Sequence, residues 1–221
     1  MNKFFNVLLL LVFFPTMLLA IVVGFDIPLT SLHTSGANLM YRREAFLVLG
    51  IFLLFITIRR SVRRWVALRL VNQLPKYKWN TAVSTSRIQR IYTYNSLEAV
   101  VMLTAGYGVY YLTEEAWMPF VSLVIGALDT LFFAFYGAAA KKFRVGITTK
   151  ALLAGDRDVA LIYFKGLRRV SVQQQTIFFD FKDDLHLRFP LDLIPEEKRS
   201  EFFKELKSCV DETKVYFQNN I

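Results

Sequence analysis

The sequence predicts an α-helical membrane protein with four transmembrane helices arranged as two hairpins, followed by a small cytoplasmic α+β domain. Hydrophobic residues make up 54% of the 221-residue chain and the mean hydropathy is +0.36, which is more apolar than an ordinary soluble domain. Four segments before residue 141 are strongly apolar, whereas the chain after it alternates apolar and polar residues between turn signals. We therefore predict a transmembrane region at 1–140 and a cytoplasmic domain at 141–221.

The first two predicted spans are 4–25 and 45–58. Segment 4–25 follows a single lysine and has about the roughly 20 apolar residues that cross a bilayer. A cleaved signal peptide is the alternative, but its apolar region is usually only about 7–15 residues long. Segment 45–58 has fourteen residues without charge, a length that also suits a re-entrant or interfacial segment. Arginines on both sides favour a span, because their long side chains reach the headgroups.

Segments 97–112 and 116–140 are the second predicted pair of spans. Only three residues separate them, so they must run antiparallel as a helical hairpin. Small residues in both segments, among them Gly106, Gly108 and Gly126, favour close packing of the two helices.

The segment between the two hairpins, 59–96, contains nine Lys or Arg residues and no acidic residue. Its first half is predicted to continue the second span as a short helix that ends before Pro75. With the N-terminus inside, thirteen basic residues lie on the inner side of the spans and two on the outer side, so the positive-inside rule predicts cytoplasmic N- and C-termini. Five arginines are predicted to contact anionic lipid headgroups, unless they serve only to set the topology. They are Arg59, Arg60, Arg63, Arg64 and Arg69.

Two acidic residues in the predicted spans, Asp129 and Glu98, are candidates for chemistry. An acid inside a span costs about 2.5–3.5 kcal/mol on insertion scales and normally faces a partner or a cavity. Asp129 lies about 20 Å into the fourth span at 1.5 Å per residue, which is the depth of Glu98 in the antiparallel third span. The two acids therefore either share a proton or hold a cation, or have separate structural partners. In the second case Asp129 bonds to Thr104, Thr130 or a tyrosine, and Glu98 pairs with Arg87 or Arg90.

The chain from residue 142 onward alternates apolar and polar residues in short runs that predict strands. The expected strands are 143–148, 151–154, 159–164, 168–173, 176–182 and 185–189. The last two are predicted to form a hairpin around Asp183 and Asp184 with one buried face. Pro195 then favours the first turn of a closing helix, with Phe202, Phe203, Leu206, Cys209 and Val210 on one face.

Three stretches of this tail resemble bacterial PH-like domains of the YcxB type. They read IYFKGLRRVSV from Ile162, TIFFDFKDDLHLRFPLDLIP from Thr176, and EEKRSEFFKELKSCV from Glu196. The resemblance covers roughly residues 142–213. It implies a small bent antiparallel sheet with a C-terminal helix that binds a protein partner or assembles with copies of itself.

The sequence gives no sign of catalysis. No nucleophile elbow, glycine-rich phosphate loop or HExxH run is present, and one cysteine and two distant histidines predict neither a metal site nor a disulfide. Most of the positive charge lies beside the spans, which favours anionic lipid over nucleic acid as its partner.

We therefore expect an interaction or scaffold protein of a bacterial inner membrane, without enzyme activity and without a cofactor. The alternatives are a small ion or proton channel, transporter or membrane-perturbing effector that uses Asp129 and Glu98, and a membrane immunity protein that blocks a toxin.

Overall fold

The computed structural model describes residues 2–30, 33–157, 159–182, 185–210 and 215–218. The chain divides into two compact units. The helical unit comprises Met1–Arg63 and Tyr94–Phe133, and the sheet unit comprises Arg64–Thr93 and Ala134–Ile221. The sheet unit thus takes about thirty residues from the basic segment, in addition to the tail from which the sequence predicted the whole domain.

Four long helices carry the apolar segments. They are α1 Asn2–Gly24, α2 Arg42–Val71, α3 Thr85–Leu112 and α4 Trp117–Ala139. The division between the two units falls within α2, α3 and α4, so these helices contribute residues to both units.

Among the described residues, three helices are long and apolar enough to cross a membrane. The qualifying segments are Val7–Gly24, Arg42–Val71 and Glu114–Ala139, which agrees with three of the four predicted spans. The third predicted span, 97–112, lies in α3, which begins at Thr85 and carries Arg87, Arg90 and Glu98. Segment 97–112 is therefore less apolar than the three qualifying segments, with Glu98 and three tyrosines among its residues.

Helix α2 is a single helix of 30 residues, or about 45 Å at 1.5 Å per residue. The prediction that a helix continues from the second span into the basic segment is therefore confirmed, and this helix ends at Val71 before Pro75. The uncharged run 45–58 is shorter than helix α2, because arginine is a good helix former and does not end a helix.

Helices α3 and α4 form the predicted antiparallel hairpin. The rings of Tyr110 and Phe120 stack with centroids 5.2 Å apart, and a Cβ at Gly106 would lie 3.3 Å from that of Leu123. Gly108 does not take part in this packing, since nothing lies within 4 Å of the position that its Cβ would occupy.

Helix α2 packs closely on the beginning of α4. A Cβ at Gly50 would lie 2.6 Å from Cγ of Met118 and 2.7 Å from the backbone nitrogen of Pro119. The hydroxyl of Ser122 donates a hydrogen bond to the Gly50 carbonyl over 2.8 Å. One turn further along α4, a Cβ at Gly126 would meet Thr57 at 3.0 Å. Small residues thus permit this helix contact, as is common between membrane helices.

The loop between α1 and α2 contains a short hairpin of β1 (Pro28–Leu29) and β2 (Thr34–Ser35). The Asp26 carboxylate accepts a hydrogen bond from the Ala37 backbone over 2.7 Å. Hydrogen bonds from Ser35 and then Ala37 lower the pKa of Asp26 from its ordinary value, so this carboxylate stays ionised and holds the end of the loop.

The sheet unit contains two four-stranded sheets. The first has the order β3 (Trp79–Ala82), β4 (Arg144–Ile147), β5 (Ala151–Gly155) and β6 (Val159–Tyr163), all antiparallel. The second contains β7 (Leu167–Gln173), β8 (Thr176–Phe181), β9 (His186–Pro190) and β10 (Tyr216–Gln218). Its order is β10-β7-β8-β9, and β10 runs parallel to β7.

The six strands predicted in the tail are confirmed to within one or two residues at each end. The predicted hairpin of β8 and β9 is present, with Ile177 opposite Phe189 and both side chains buried. The end of this hairpin next to the turn is less buried than predicted, since Leu185 is exposed. The turn residues Asp183 and Asp184 lie outside the described residues.

The closing helix is confirmed as α5, Arg199–Cys209, which buries Phe202 and Leu206. The ring of Phe202 stacks on Phe189 at 6.1 Å and meets Trp79 edge-on at 5.4 Å. Trp79 belongs to β3, so a strand that precedes α3 in the chain forms part of the core of the same unit.

The contact of Gly50 with α4 yields a matched pair of variants. We expect Gly50→Ala to destabilise the protein by about 1–3 kcal/mol, because overpacking displaces backbone that cannot move freely. Gly108→Ala should be neutral or stabilising by up to about 1 kcal/mol, since alanine favours helix and meets no neighbour. The readout is the thermal unfolding midpoint of the full chain in detergent, and equal midpoints for the two variants would contradict this packing.

Candidate functional site

The most unusual side chains of the helical unit are a paired arginine and glutamate. Arg60 of α2 forms an ion pair with Glu98 of α3, and their side chains are only 5% and 17% exposed. A lone buried charge costs several kcal/mol, and an opposite charge in contact offsets much of that cost. The pair therefore leaves the polar contact between α2 and α3 without net charge.

Asp129 of α4 forms a hydrogen bond with Ser61, the residue that follows Arg60 on α2. The Ser61 hydroxyl donates a hydrogen bond to Oδ1 of Asp129 over 2.8 Å. Helix α2 thus presents Arg60 to the acid of α3 and Ser61 to the acid of α4. Each predicted intramembrane acid has its own partner on one turn of α2.

Further polar side chains are buried on the same two helices. Asn95 lies one turn before Glu98 on α3, and Thr57 lies one turn before Arg60 on α2, and both side chains are buried. Nδ2 of Asn95, Oγ1 of Thr57 and Nε of Arg60 have no hydrogen-bond partner among the described residues. Buried polar atoms normally find a partner in protein or in ordered water. Each of these two helices therefore carries two buried or half-buried polar side chains one turn apart, Thr57 and Arg60 on α2 and Asn95 and Glu98 on α3.

The partner of Glu98 differs from the pairs that the sequence suggested, and Asp129 has a partner that the sequence did not suggest. Arg87 and Arg90 lie more than two turns before Glu98 on α3 and pair elsewhere, so the expected partners of Glu98 were wrong. Ser61 was not among the candidates for Asp129. Arg60 and Ser61 are adjacent in sequence and contact acids on two different helices, because α2 packs against both α3 and α4. Residue spacing within a single helix does not reveal such a contact.

Arg87 is the centre of a second polar cluster, inside the sheet unit. Its guanidinium donates to Asp156 over 2.7 Å and to Asp192 over 3.4 Å, and Arg90 also reaches Asp192 at 2.7 Å. Burial works to lower the pKa of Arg87, but the two carboxylates outweigh it and raise the pKa. The hydroxyl of Ser84 bonds to the Asp192 carbonyl. These contacts fix the first turns of α3 to the end of β5 and to the chain after β9.

The five arginines proposed for lipid contact separate into two groups. Arg59, Arg63 and Arg69 are exposed, whereas Arg60 and Arg64 are buried. A buried guanidinium cannot reach a headgroup, so burial restricts the lipid-contact proposal to the three exposed arginines.

Side chains that commonly bind metal ions are not grouped in the described part of the chain. No three His, Cys, Asp or Glu side chains there are grouped to hold a metal ion. His186 is exposed, as its place in the strand pattern predicts, with Nδ1 2.7 Å from Asp180. Cys209 is a free thiol. No protein-family model, curated protein or solved structure matches the chain.

The Arg60–Glu98 pair predicts a pronounced coupling between two substitutions. Glu98→Gln should cost about 3–5 kcal/mol, because it leaves the arginine charge buried without its partner. The double variant Arg60→Met, Glu98→Gln removes the charge as well and should recover most of that loss. The measurement is the fraction of folded, monodisperse protein after heating in detergent.

Arg59→Met is the matched control, because it removes a neighbouring but exposed arginine and should change the folded fraction little. If Glu98→Gln and the double variant were equally unstable, the ion pair would not be what stabilises this contact.

Proposed function

We propose that the protein is a four-span membrane anchor that displays its sheet unit in the cytoplasm, where this unit binds a protein partner. The proposed spans are α1, the apolar part of α2, residues 97–112 of α3, and α4. The proposed sheet unit is a PH-like domain in the inner membrane of a bacterium, with exposed arginines of α2 at anionic lipid headgroups.

The pairing of β3 with β4 is the observation that carries this proposal. Trp79 lies opposite Ile147 and Ala82 opposite Arg144 in one antiparallel ladder. β3 precedes α3 and α4 in the chain, and β4 follows them. Two strands on opposite sides of a hydrocarbon core about 30 Å thick cannot pair, so α3 and α4 either both cross or both stay on one side. Since α4 is among the candidate spans, we infer that α3 crosses as well.

Side-chain exposure on α3 supports a fourth span. Glu98, its one charged residue after Arg90, is paired with Arg60. The large exposed side chains of α3 from residue 97 onward are apolar or aromatic, as expected for a lipid-facing surface. They are Leu97, Val100, Val101, Leu103, Tyr107 and Tyr111.

The distribution of charge supports the cytoplasmic side for the sheet unit. The basic segment 59–96 holds nine basic residues and no acid, and basic residues concentrate in cytoplasmic segments. With four crossings, the N-terminus, the basic segment and the sheet unit share that side.

An exposed apolar pair supports partner binding. Across strands β4 to β9, the large hydrophobic side chains that are exposed are Leu161 and Tyr163, both on β6. Exposed apolar surface next to buried strands is typical of a contact surface for another protein.

Labelling with a membrane-impermeant maleimide tests the topology. In a Cys209→Ser background, Leu74→Cys between α2 and β3 and Leu185→Cys after α4 both introduce thiols at exposed positions. We expect neither to react in intact spheroplasts and both to react after permeabilisation, whereas Met40→Cys before α2 reacts without it. Labelling of Leu74→Cys and Leu185→Cys from opposite sides would contradict the fourth span.

The buried polar atoms of α2 and α3 favour a second candidate, an ion or proton path that uses Asp129. Charged and polar residues that line such a path are a recurrent feature of membrane proteins. Asp129→Asn preserves an acceptor for Ser61 and removes the charge, and a path through Asp129 predicts a large fall in ion flux across liposomes. Asp26→Asn in the loop after α1 is the control. Unchanged flux in Asp129→Asn would exclude the path and leave the anchor proposal intact.

A further inference from the structure

We propose that β6 is a homodimerisation edge, along which Val159–Tyr163 pairs antiparallel with the same strand of a second copy of the chain. This inference rests on the proposed cytoplasmic placement of the sheet unit, and it names the partner of that unit.

β6 ends its sheet with one side unpaired. Its five residues form a continuous ladder with β5, from Val159 opposite Gly155 to Tyr163 opposite Ala151, without a bulge. Among the described residues, no backbone hydrogen bond joins these five residues to any other part of the chain. An edge of this kind presents a row of N–H and C=O groups to a further strand.

The edge lacks the features that normally keep edge strands from pairing. Soluble proteins place charged residues, prolines or bulges there, or cover the strand. The sequence of β6 is VALIY, which has no charge and no proline, and Leu161 and Tyr163 are 42% and 58% exposed. Such a strand is suited to pairing rather than to solvent.

On one face of this sheet, other residues of the chain cover β4 and part of β5 but not β6. Leu161 lies opposite Leu153, which lies opposite Gly146, so the three positions share one face. The ring of Tyr77 occupies the space that a Cβ at Gly146 would need, and Val71 lies 3.0 Å from the corresponding position at Gly155. Residues before α3 therefore cover β4 and part of β5, and the side chains of β6 extend beyond this cover.

Self-pairing is favoured by the composition of the strand. We consider an antiparallel pair whose two-fold axis passes midway between the two copies of Leu161. Each Leu161 then lies opposite the Leu161 of the other copy, and each Tyr163 lies opposite the other copy's Val159, which is an aromatic and β-branched cross-strand pair. Because β6 carries no charge, a second copy places no like charges opposite one another within the five paired residues. The same register brings Arg157 of one copy opposite Lys165 of the other, outside the paired residues at both ends.

Five residues of strand form a small interface, well below the roughly 1,200 Å² of a standard stable complex. Confinement of both copies to one membrane raises their effective concentration and compensates for this. The dimer is therefore expected in membranes and should weaken on dilution in detergent.

Cysteine crosslinking of the full chain in its membrane tests the edge. In the Cys209→Ser background, Leu161→Cys places the thiols of the two copies opposite one another across the proposed two-fold axis, and a short bis-maleimide should yield a covalent dimer. Leu185→Cys is the control, since it is an exposed leucine beside β9 in the other sheet. Adding Tyr163→Lys to Leu161→Cys puts a charge in the paired strand and should lower the dimer yield about tenfold, the effect of roughly 1.4 kcal/mol.

Each other outcome contradicts one specific claim. Equal dimer yields from Leu161→Cys and Leu185→Cys would show random collision and overturn the edge. The edge would also be overturned if the Leu161→Cys thiol did not crosslink. If that thiol were nevertheless labelled only after permeabilisation, the cytoplasmic placement of the sheet unit would stand. A Leu161→Cys thiol that is labelled in intact spheroplasts would overturn the proposed function itself.

Discussion

The ladder between β3 and β4 constrains the rest of the molecule. It joins a strand from the basic segment to a strand from the tail, although two long helices separate them in the chain. A bilayer permits this pairing only when both helices cross it or neither does, because no strand pair forms across hydrocarbon. The order of elements, the number of spans and the side of the sheet unit are therefore linked by a single set of backbone hydrogen bonds.

In the proposed four-span topology, the ion pair of Arg60 and Glu98 offsets the one charged residue of the third span. Helix α3 is not among the three helices that qualify as candidate spans, and an unpaired Glu98 inside the membrane would oppose insertion. The arginine that offsets it belongs to α2, which also contacts Asp129 through Ser61. Such pairs add little net stability compared with apolar residues, but removing one member is costly. The ion pair joins α2 to α3, and the Ser61–Asp129 hydrogen bond joins α2 to α4.

The sequence predicts local structure in this protein better than contacts between distant elements. The strands from β4 to β9 and helix α5 follow from alternation and helical periodicity, since each buries one face against a single core. β3 and β10 did not follow, because WNTA and YFQ are too short to show a pattern and become strands only through partners far along the chain. The predicted span 45–58 covers only part of α2, because arginines end an apolar run without ending a helix, and the predicted continuation into the basic segment accounts for most of the rest.

The acids of the predicted spans show the same limit. Hydropathy alone identified Asp129 and Glu98 as exceptional, and their antiparallel hairpin follows from the three-residue connection. Their partners lie on α2, 68 residues from Asp129 in the case of Ser61, and no spacing rule within α3 or α4 points to them. The same holds for Arg87, whose carboxylate partners, Asp156 and Asp192, follow β5 and β9 in the chain.

Membrane depth along α3 tests the account most directly. Val101 is exposed on α3 beyond Glu98, and Tyr92 is exposed before it. A nitroxide attached at Val101→Cys or Tyr92→Cys in the Cys209→Ser background reports its accessibility to oxygen, which concentrates in lipid, and to a water-soluble nickel complex. A fourth span predicts that oxygen dominates at Val101 and the nickel complex at Tyr92. Dominance of the nickel complex at both positions would place α3 in water and contradict the account.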